Sequence, residues 1–165
     1  TLPRSTSERL LAANREFVTQ EKELREKYHE IIYSIAEKVM RTSQANQFKL
    51  LKVQLERDTS DLMRRLQADR REEVKALAKK HRDRDELVRV KREVASAVVD
   101  RGVTERERLG QTFEVRKEEL TRQHEAVKNA LVEHKQKAKT AMTKEFETRL
   151  TRAENEVCGS SNVQQ

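Results

Sequence analysis

Large apolar residues recur along the chain at steps of three, four and seven positions, the pattern of amphipathic helices that pack along narrow stripes. The first run predicts a helix over about residues 7–42, preceded by an irregular lead over 1–6. Ser5 or Ser7 can cap its first turn. Small polar residues at 41–47 interrupt the run and predict a turn or kink there. The stripe of this first helix consists of Leu10, Phe17, Leu24, Tyr28, Ile31, Ile35 and Val39.

A second run predicts a helix over about 46–101. The step from Leu66 to Val74 is eight residues, which unwinds a supercoil locally without ending the helix. The apolar stretch before Asp100 should be the most buried part of the chain. The stripe contains Phe48, Leu51, Leu55, Leu62, Leu66, Val74, Leu77, His81, Val88, Ala95 and Val98.

Gly102 can close this second helix, because glycine readily adopts the left-handed conformation that ends a helix. Thr104 could then cap a third helix over about 104–156, with Glu107 at the spacing of a capping box. A continuous helix through Gly102 is the alternative, and the sequence does not decide between them. Residues 157–165 have the composition of a disordered tail. The third stripe contains Leu109, Phe113, Leu120, Val127, Leu131, Ala138, Met142, Phe146 and Leu150.

These runs predict an all-α fold: an elongated antiparallel bundle of two to three long helices, packed as a coiled coil. Since narrow stripes tend to stay partly exposed in a single chain, we expect the protein to dimerise. The residues predicted to form the coiled-coil core are Leu24, Tyr28, Ile31, Ile35, Leu55, Leu62, Leu66, Leu77, Val88, Phe113, Leu120, Val127, Leu131 and Met142.

The composition supports helices that bury only narrow stripes. Charged residues make up 39% of the chain and hydrophobic residues 35%, whereas globular domains are richer in apolar residues. Proline occurs once and glycine three times, which disfavours disorder. The one cysteine, Cys158, excludes an internal disulfide and indicates a reducing, cytoplasmic compartment. We see neither a secretory signal nor an apolar run of about 20 residues, and the start at Thr1 suggests part of a longer protein.

Catalytic motifs are absent from the sequence. It contains no P-loop, no dinucleotide-binding glycine motif, no nucleophile elbow and no HExxH zinc motif. The four histidines, His29, His81, His124 and His134, are scattered, which disfavours a zinc site. We therefore expect no catalytic residue, metal or cofactor in this chain.

Positive charge is the more informative signal. The net charge is +7, and residues 70–92 contain ten basic and five acidic residues. At 100° per residue, several of these cations fall opposite the apolar stripe. Further lysines border the stripe of the third helix, and a turn near Gly102 would make the two strips neighbours. The predicted basic surface comprises Arg71, Lys75, Lys79, Arg82, Arg89, Lys117, Lys128, Lys135 and Lys139.

Three interpretations of this surface remain open. The first is that it only keeps the protein soluble, since a charge-rich rod needs solvated faces. It could bind an anionic membrane, where each cation contributes about 1 kcal/mol. Nucleic acid would use the same charges, but aromatic residues are only 4% of the chain and tryptophan is absent, so stacking partners are missing and nucleic acid is disfavoured.

The second helix resembles the distal C-terminal coiled-coil domain of the phospholipase C-beta family. The similarity rests on Leu51-Lys52, on Thr59 and Asp61, on Arg64-Arg65-Leu66 and on the basic run 79–82. Residues 20–30 fit the preceding helix of that family. Gly102 and Gly110 stand where the family has a continuous helix, so the resemblance leaves the helix boundaries open.

The resemblance implies much that composition does not. The parent would be a calcium-dependent phospholipase C that cleaves phosphatidylinositol 4,5-bisphosphate, with its calcium in a catalytic domain that this chain lacks. The domain itself would dimerise, bind anionic phospholipid and engage the α subunit of a Gq-class G protein through the basic surface. It would lie in the cytoplasm at the inner face of the plasma membrane, with the nucleus as a second location. The competing hypothesis is a purely structural dimerisation rod of a cytoskeletal or motor-type protein.

Overall fold

The structure, a computed structural model, describes residues 5–81 and 83–163, and the side chains of these through residue 156. Two long helices account for this part of the chain: α1, Thr6–Lys80, and α2, Arg84–Val163. The predicted all-α class is therefore confirmed, with two helices rather than three. Ser5 caps α1, since its hydroxyl oxygen accepts a hydrogen bond from the Glu8 amide at 3.2 Å. Residues 1–4 of the predicted lead lie outside the described residues.

The turn or kink predicted at 41–47 is wrong, and the turn at Gly102, one of two alternatives, is not formed. α1 continues through 41–47, and α2 continues through Gly102, so the alternative of a continuous helix is correct. Thr104 does not cap a helix; its hydroxyl donates to the Asp100 carbonyl at 3.1 Å inside α2. The predicted disordered tail is also wrong for 157–163, where α2 runs on to Val163, while 164–165 lie outside the described residues.

The chain reverses between α1 and α2, and the charged residues at the end of α1 and the start of α2 suit the two helix ends. Asp83 caps α2, because its carboxylate accepts a hydrogen bond from the Asp85 amide at 3.3 Å. Lys79 and Lys80 occupy the last turn of α1, and Asp85 and Glu86 the first turn of α2. Cations at a helix C-terminus and anions at an N-terminus complement the helix dipole. The turn is therefore marked by a capping residue and by helix-end charges, and not by a glycine or a proline.

The helices continue at the two predicted breaks because each site is used for packing. Gln44 donates a side-chain hydrogen bond to the His124 carbonyl at 3.2 Å, and Gln47 contacts the His124 ring. No described glycine has a positive φ. Gly102 instead provides the space that Leu66 occupies, since a Cβ atom at Gly102 would lie 3.0 Å from Leu66 Cδ1.

The chain divides into two compact units. The hairpin unit, Ser43–Glu125, pairs the second half of α1 with the first half of α2 in antiparallel fashion. Leu62, Leu66, Val90, Val94 and Val98 form its core, and Val74, Leu77 and Leu109 pack against them. Ion pairs Arg65–Glu105 and Arg101–Glu73 border this core. The stretch before Asp100, expected to be the most buried part of the chain, is buried only at Val94 and Val98, while Val99 is 63% exposed.

The terminal unit, Thr1–Thr42 with Ala126–Gln165, has a smaller core. Val18, Met142 and Phe146 are buried, and Leu150 packs against them. Phe146 has no exposed surface, and the guanidinium carbons of Arg25 and Arg149 each lie 5.2 Å from its ring centre. Arg25 also pairs with Glu145 at 2.9 Å, which fixes the antiparallel pairing within this unit.

The predicted core is only partly the core of this chain. Leu62, Leu66 and Met142 are buried, and five predicted residues are half-buried: Leu55, Leu77, Phe113, Leu120 and Leu131. The assignment is wrong within the single chain for six that are exposed: Leu24, Tyr28, Ile31, Ile35, Val88 and Val127. In α1 the reason is that the helix is rotated about its axis relative to the predicted orientation, so that a different face meets α2. The face that meets α2 carries Val18, His29 and Tyr33, about a third of a turn from the more apolar stripe.

Candidate functional site

The most distinctive charged surface lies on α1 in the hairpin unit. Arg71, Lys75 and Lys79 are exposed, on the face of α1 that points away from the buried Leu66 and the half-buried Leu77. Steps of four residues set these cations about 6 Å apart along the helix axis. Among the described residues none of the three makes an ion pair, so their charges are available to an external anion.

Two other residues of the predicted basic surface, Arg82 and Arg89, differ from these three. Arg89 is exposed on α2 and lies 4.0 Å from the Glu93 carboxylate, one helical turn away on the same helix. Arg82 lies outside the described residues. The basic surface of the hairpin unit that the structure supports therefore consists of Arg71, Lys75 and Lys79, which we call the basic row.

The second predicted strip is divided between the two units. Lys117 is exposed in the hairpin unit and belongs to a shallow surface region with Glu114 and Glu118. Lys128 and Lys139 are exposed in the terminal unit, where Lys135 pairs with Glu30 at 3.3 Å. The two basic strips were expected to be neighbours only if the chain turned at Gly102. Because the chain turns between α1 and α2 instead, Val74 and Leu77 pack with Val90, Val94 and Val98.

A row of ion pairs joins α1 and α2 in the terminal unit. Arg149 donates to the Glu21 carboxylate at 2.6 Å, and both side chains are half-buried. This hydrogen bond lowers the pKa of the Glu21 carboxyl below its ordinary value and raises the pKa of the Arg149 guanidinium. Arg15–Glu154 and Arg25–Glu145 continue the row. Such pairs specify the register of the two helices more than they add stability.

Sequence reasoning missed the role of three histidines. His29 Nε2 lies 3.2 Å from the Lys135 carbonyl oxygen, and the Tyr33 hydroxyl lies 2.5 Å from His134 Nδ1. In the hairpin unit, His124 contacts Gln47 Oε1 at 2.5 Å and meets the Phe48 ring edge-on at 4.9 Å between centres. The sequence feature that could have indicated this role is a polar residue at a position where helical spacing predicts an apolar one. Coiled coils use such residues to set the register of their helices.

A second surface is apolar and lies on α1 in the terminal unit. The whole stripe that the sequence assigned to the first helix is exposed, by 43% to 65% of each residue's surface. We call it the outer stripe: Leu10, Phe17, Leu24, Tyr28, Ile31, Ile35 and Val39. A row of this length exceeds the scattered exposed apolar residues of ordinary monomers.

Two further kinds of feature are absent from the described residues. Neither helix has a segment that is long and apolar enough to cross a bilayer, as far as the described residues extend. In the same part of the chain, no group of three or more histidine, cysteine, aspartate or glutamate side chains is placed to bind a metal ion.

Comparison with known proteins adds two matches. A family model described as PLC-beta C terminal matches residues 4–164. A protein of Drosophila melanogaster, named 1-phosphatidylinositol 4,5-bisphosphate phosphodiesterase classes I and II, is 57% identical over 146 residues. This alignment covers 88% of the chain but only 11% of the relative's length. No solved structure matches the chain.

Proposed function

The chain belongs to the PLC-beta C-terminal family, and from that membership we propose that it is a non-catalytic regulatory domain of a phosphoinositide-specific phospholipase C. Its proposed roles are dimerisation, association with anionic membranes and engagement of a Gq-class Gα subunit. We place it in the cytoplasm, at the inner face of the plasma membrane.

The parent enzyme is part of the same proposal. The name of the Drosophila relative describes a phosphodiesterase acting on phosphatidylinositol 4,5-bisphosphate, which supports an activity of that kind for the whole protein. Calcium would belong to a catalytic domain outside this chain. The chain's own residues would contribute by positioning that domain at the lipid surface.

The observation that carries the membrane role is the basic row. Arg71, Lys75 and Lys79 are exposed, share one face of α1 and are unpaired among the described residues. Near an anionic leaflet each such cation contributes about 1 kcal/mol. Three together would change the partition coefficient by about 100-fold, and the interaction should weaken as salt increases because exposed charges are screened.

Vesicle sedimentation tests this role. The chain is mixed with phosphatidylcholine vesicles that contain or lack phosphatidylserine, at low and at physiological salt. We expect binding only to the anionic vesicles, weakened by salt and lost in the Arg71→Glu/Lys75→Glu/Lys79→Glu variant. Equal binding to both vesicle types, or unchanged binding by the variant, would overturn the membrane role of the basic row.

A matched control separates position from net charge. The Lys49→Glu/Lys52→Glu/Lys144→Glu variant changes the net charge by the same amount, at exposed lysines outside the basic row that also make no ion pair among the described residues. We expect it to keep most of the binding. If both triple variants lose binding equally, total charge rather than the basic row is responsible.

The Gα role rests on the family resemblance and needs its own experiment. Purified Gα of the Gq class, loaded with a non-hydrolysable GTP analogue or with GDP, is tested for binding to the immobilised chain. Stronger capture of the GTP-like form is expected. Equal capture of a Gα from another class would contradict specific engagement.

The purely structural rod predicts neither lipid nor Gα binding. The outer stripe suits both hypotheses, because either requires self-association. Membership of the PLC-beta C-terminal family favours the regulatory role over a cytoskeletal or motor stalk. A chain that dimerises tightly but is indifferent to lipid charge and to Gα would restore the structural hypothesis.

A further inference from the structure

A groove between α1 and α2 runs along one side of the hairpin unit. Three adjoining depressions form it, with volumes of about 490, 120 and 420 Å³. The first and second share Asp58, and the second and third share Gln54, so the groove is continuous. It extends from Gln47 to Arg65, about 27 Å along α1, which is about five turns of a helix. We call it the lateral groove.

The floor of the lateral groove is apolar and only partly covered by the chain itself. It consists of Leu51, Leu55, Leu62, Leu109, Phe113 and Leu120. All of these except the buried Leu62 are half-buried, so each keeps part of its surface open to solvent. Leu50 stands at the edge of the groove and is 68% exposed. A concave apolar surface of this kind is typical of a binding groove.

Polar contacts between the two helices close the lateral groove at both ends. Near the turn, Arg65 of α1 pairs with Glu105 of α2, and both residues line the first depression. At the other end, Gln47 lines the third depression and contacts the His124 ring of α2. The groove is therefore a site of fixed length, which accommodates about 18 residues of helix.

The two edges of the groove carry opposite charges. Asp58 and Asp61 lie on the α1 edge, and Arg108 and Arg116 lie on the α2 edge, where Glu119 stands at the far end. Within the described residues Asp58, Arg108 and Arg116 make no ion pair, and Asp61 contacts only an arginine of its own helix, at 4.0 Å. An occupant with cations along one flank and anions along the other can therefore pair with both edges.

We propose that the lateral groove binds an amphipathic helix of about 18 residues from a protein partner. Apolar side chains of that helix pack on the floor of the groove. Its basic flank faces Asp58 and Asp61, and its acidic flank faces Arg108 and Arg116. The inference goes beyond the proposed function, whose membrane role rests on the basic row farther along α1.

The walls of the groove decide the conformation of the occupant. Both walls are helices, whose backbone amides and carbonyls bond within the same helix. An extended peptide would find no backbone partners there, and its own polar backbone groups would be buried without hydrogen bonds. A helix satisfies its own backbone and needs only side-chain contacts, as amphipathic helices do when they bind in apolar grooves.

Lipid and small molecules fit the lateral groove less well. An anionic lipid surface attracts faces that carry mainly lysine and arginine, whereas the edges of this groove carry both signs of charge. A small ligand needs a pocket that encloses most of its surface, whereas the three depressions are open to solvent along one side. A protein helix leaves one of its faces in solvent and therefore suits an open groove.

Fluorescence anisotropy with a synthetic probe tests the proposal on the full chain. The probe is a labelled peptide of about 18 residues, with leucines at helical spacing, lysines along one flank and glutamates along the other. We expect saturable binding with a dissociation constant on the order of 10–100 μM, because one helix in a groove buries less area than a standard interface. A probe of the same composition in scrambled order, without an apolar face, should bind at least tenfold more weakly.

Filling the groove should prevent this binding. Thr112 is exposed and lines the central depression, and Gln111 is exposed but does not line the groove. Thr112→Trp therefore places an indole where the probe helix packs, and should weaken binding tenfold or more. Gln111→Trp is the matched control and should bind like the wild type. Circular dichroism should show equal helicity for both variants.

Charge reversal tests the pairing of the edges. Arg108→Glu/Arg116→Glu makes both edges acidic and should weaken binding of the probe about tenfold. The control Arg106→Glu/Arg122→Glu changes the net charge by the same amount, at exposed arginines that do not line the groove, and should keep the binding. A second probe with lysines on both flanks should bind Arg108→Glu/Arg116→Glu more tightly than the wild type, a reversal that loss of folding cannot produce.

The outcomes separate this inference from the proposed function. Absence of saturable probe binding by the wild type overturns the proposal, and binding that Thr112→Trp leaves unchanged overturns its assignment to the groove. Loss of Gα capture in Thr112→Trp would show that the groove serves the proposed Gα role and not a further partner. Binding to uncharged vesicles that is lost in Thr112→Trp would show that lipid is the occupant. Thr112→Trp should keep its salt-dependent binding to anionic vesicles, because the basic row is unchanged.

Discussion

Gly102 lies against Leu66, and a Cβ atom at position 102 would stand 3.0 Å from Leu66 Cδ1. The helices of the hairpin unit approach closely here because α2 presents no side chain. Leu66 is buried and belongs to the unit's core. The glycine therefore serves helix packing rather than a turn, and its neighbour Gly110, which has nothing within 4 Å of the same position, serves as an internal comparison.

The two glycines should respond differently to alanine. Gly110→Ala should raise the free energy of unfolding by about 0.5–1 kcal/mol, since alanine favours a helix interior and the site is open. Gly102→Ala should gain clearly less, because Leu66 must shift to admit the methyl group. Urea unfolding followed by circular dichroism measures both, and equal stabilisation by the two substitutions would contradict the close packing.

These particulars show what the sequence could and could not predict. Helical spacing predicted the all-α class and the buried Leu62 and Leu66 of the hairpin unit. On α2 it selected Val88, which is exposed, and missed the buried Val90 and Val94. It left a turn at Gly102 open, although Gly102 is a packing glycine. It did not find the actual turn between α1 and α2, which is marked only by Lys79, Lys80, Asp83 and the acidic start of α2. A rule based on helix-end charges would have found it.

The candidate surfaces were predictable to different degrees. The basic row follows from helical geometry alone, because cations opposite an apolar stripe are exposed wherever the helix packs. The outer stripe could not be recognised as exposed, since the sequence shows two usable faces on the first helix. The choice between them is made by partners on α2, such as Glu145 for Arg25, which no local pattern reveals.

The Asp83 cap should be needed for the turn. Asp83→Ala removes the acceptor for the Asp85 amide and should lower the free energy of unfolding by about 1 kcal/mol. Asp83→Asn and Asp83→Ser keep a side-chain oxygen and should lose less. Thermal unfolding of the three variants checks the order, and an Asp83→Ala variant as stable as the wild type would show that the cap is dispensable.

Phe146 should dominate the stability of the terminal unit. It is the fully buried aromatic residue there, with Arg25 and Arg149 beside its ring. Phe146→Ala should cost about 3–5 kcal/mol, with amide hydrogen exchange accelerated around Val18 and Met142. Phe17→Ala, which removes the same side chain at an exposed site, should cost far less in the monomer, so equal losses would contradict the assigned core.

The Glu21–Arg149 pair should make the terminal unit sensitive to acid. Because the pKa of Glu21 is lower in the folded chain than its ordinary value of about 4.5, folding favours the ionised carboxylate. The resulting stabilisation is complete above the unfolded pKa and disappears as the pH falls through the folded pKa. Glu21→Gln should therefore reduce stability at neutral pH and flatten its fall under acid, while Glu16→Gln, at a carboxylate outside the described ion pairs, should leave the profile unchanged. Urea midpoints measured from neutral pH to about pH 3 test this, and parallel profiles for wild type and Glu21→Gln would show that the pair contributes nothing to the folded state.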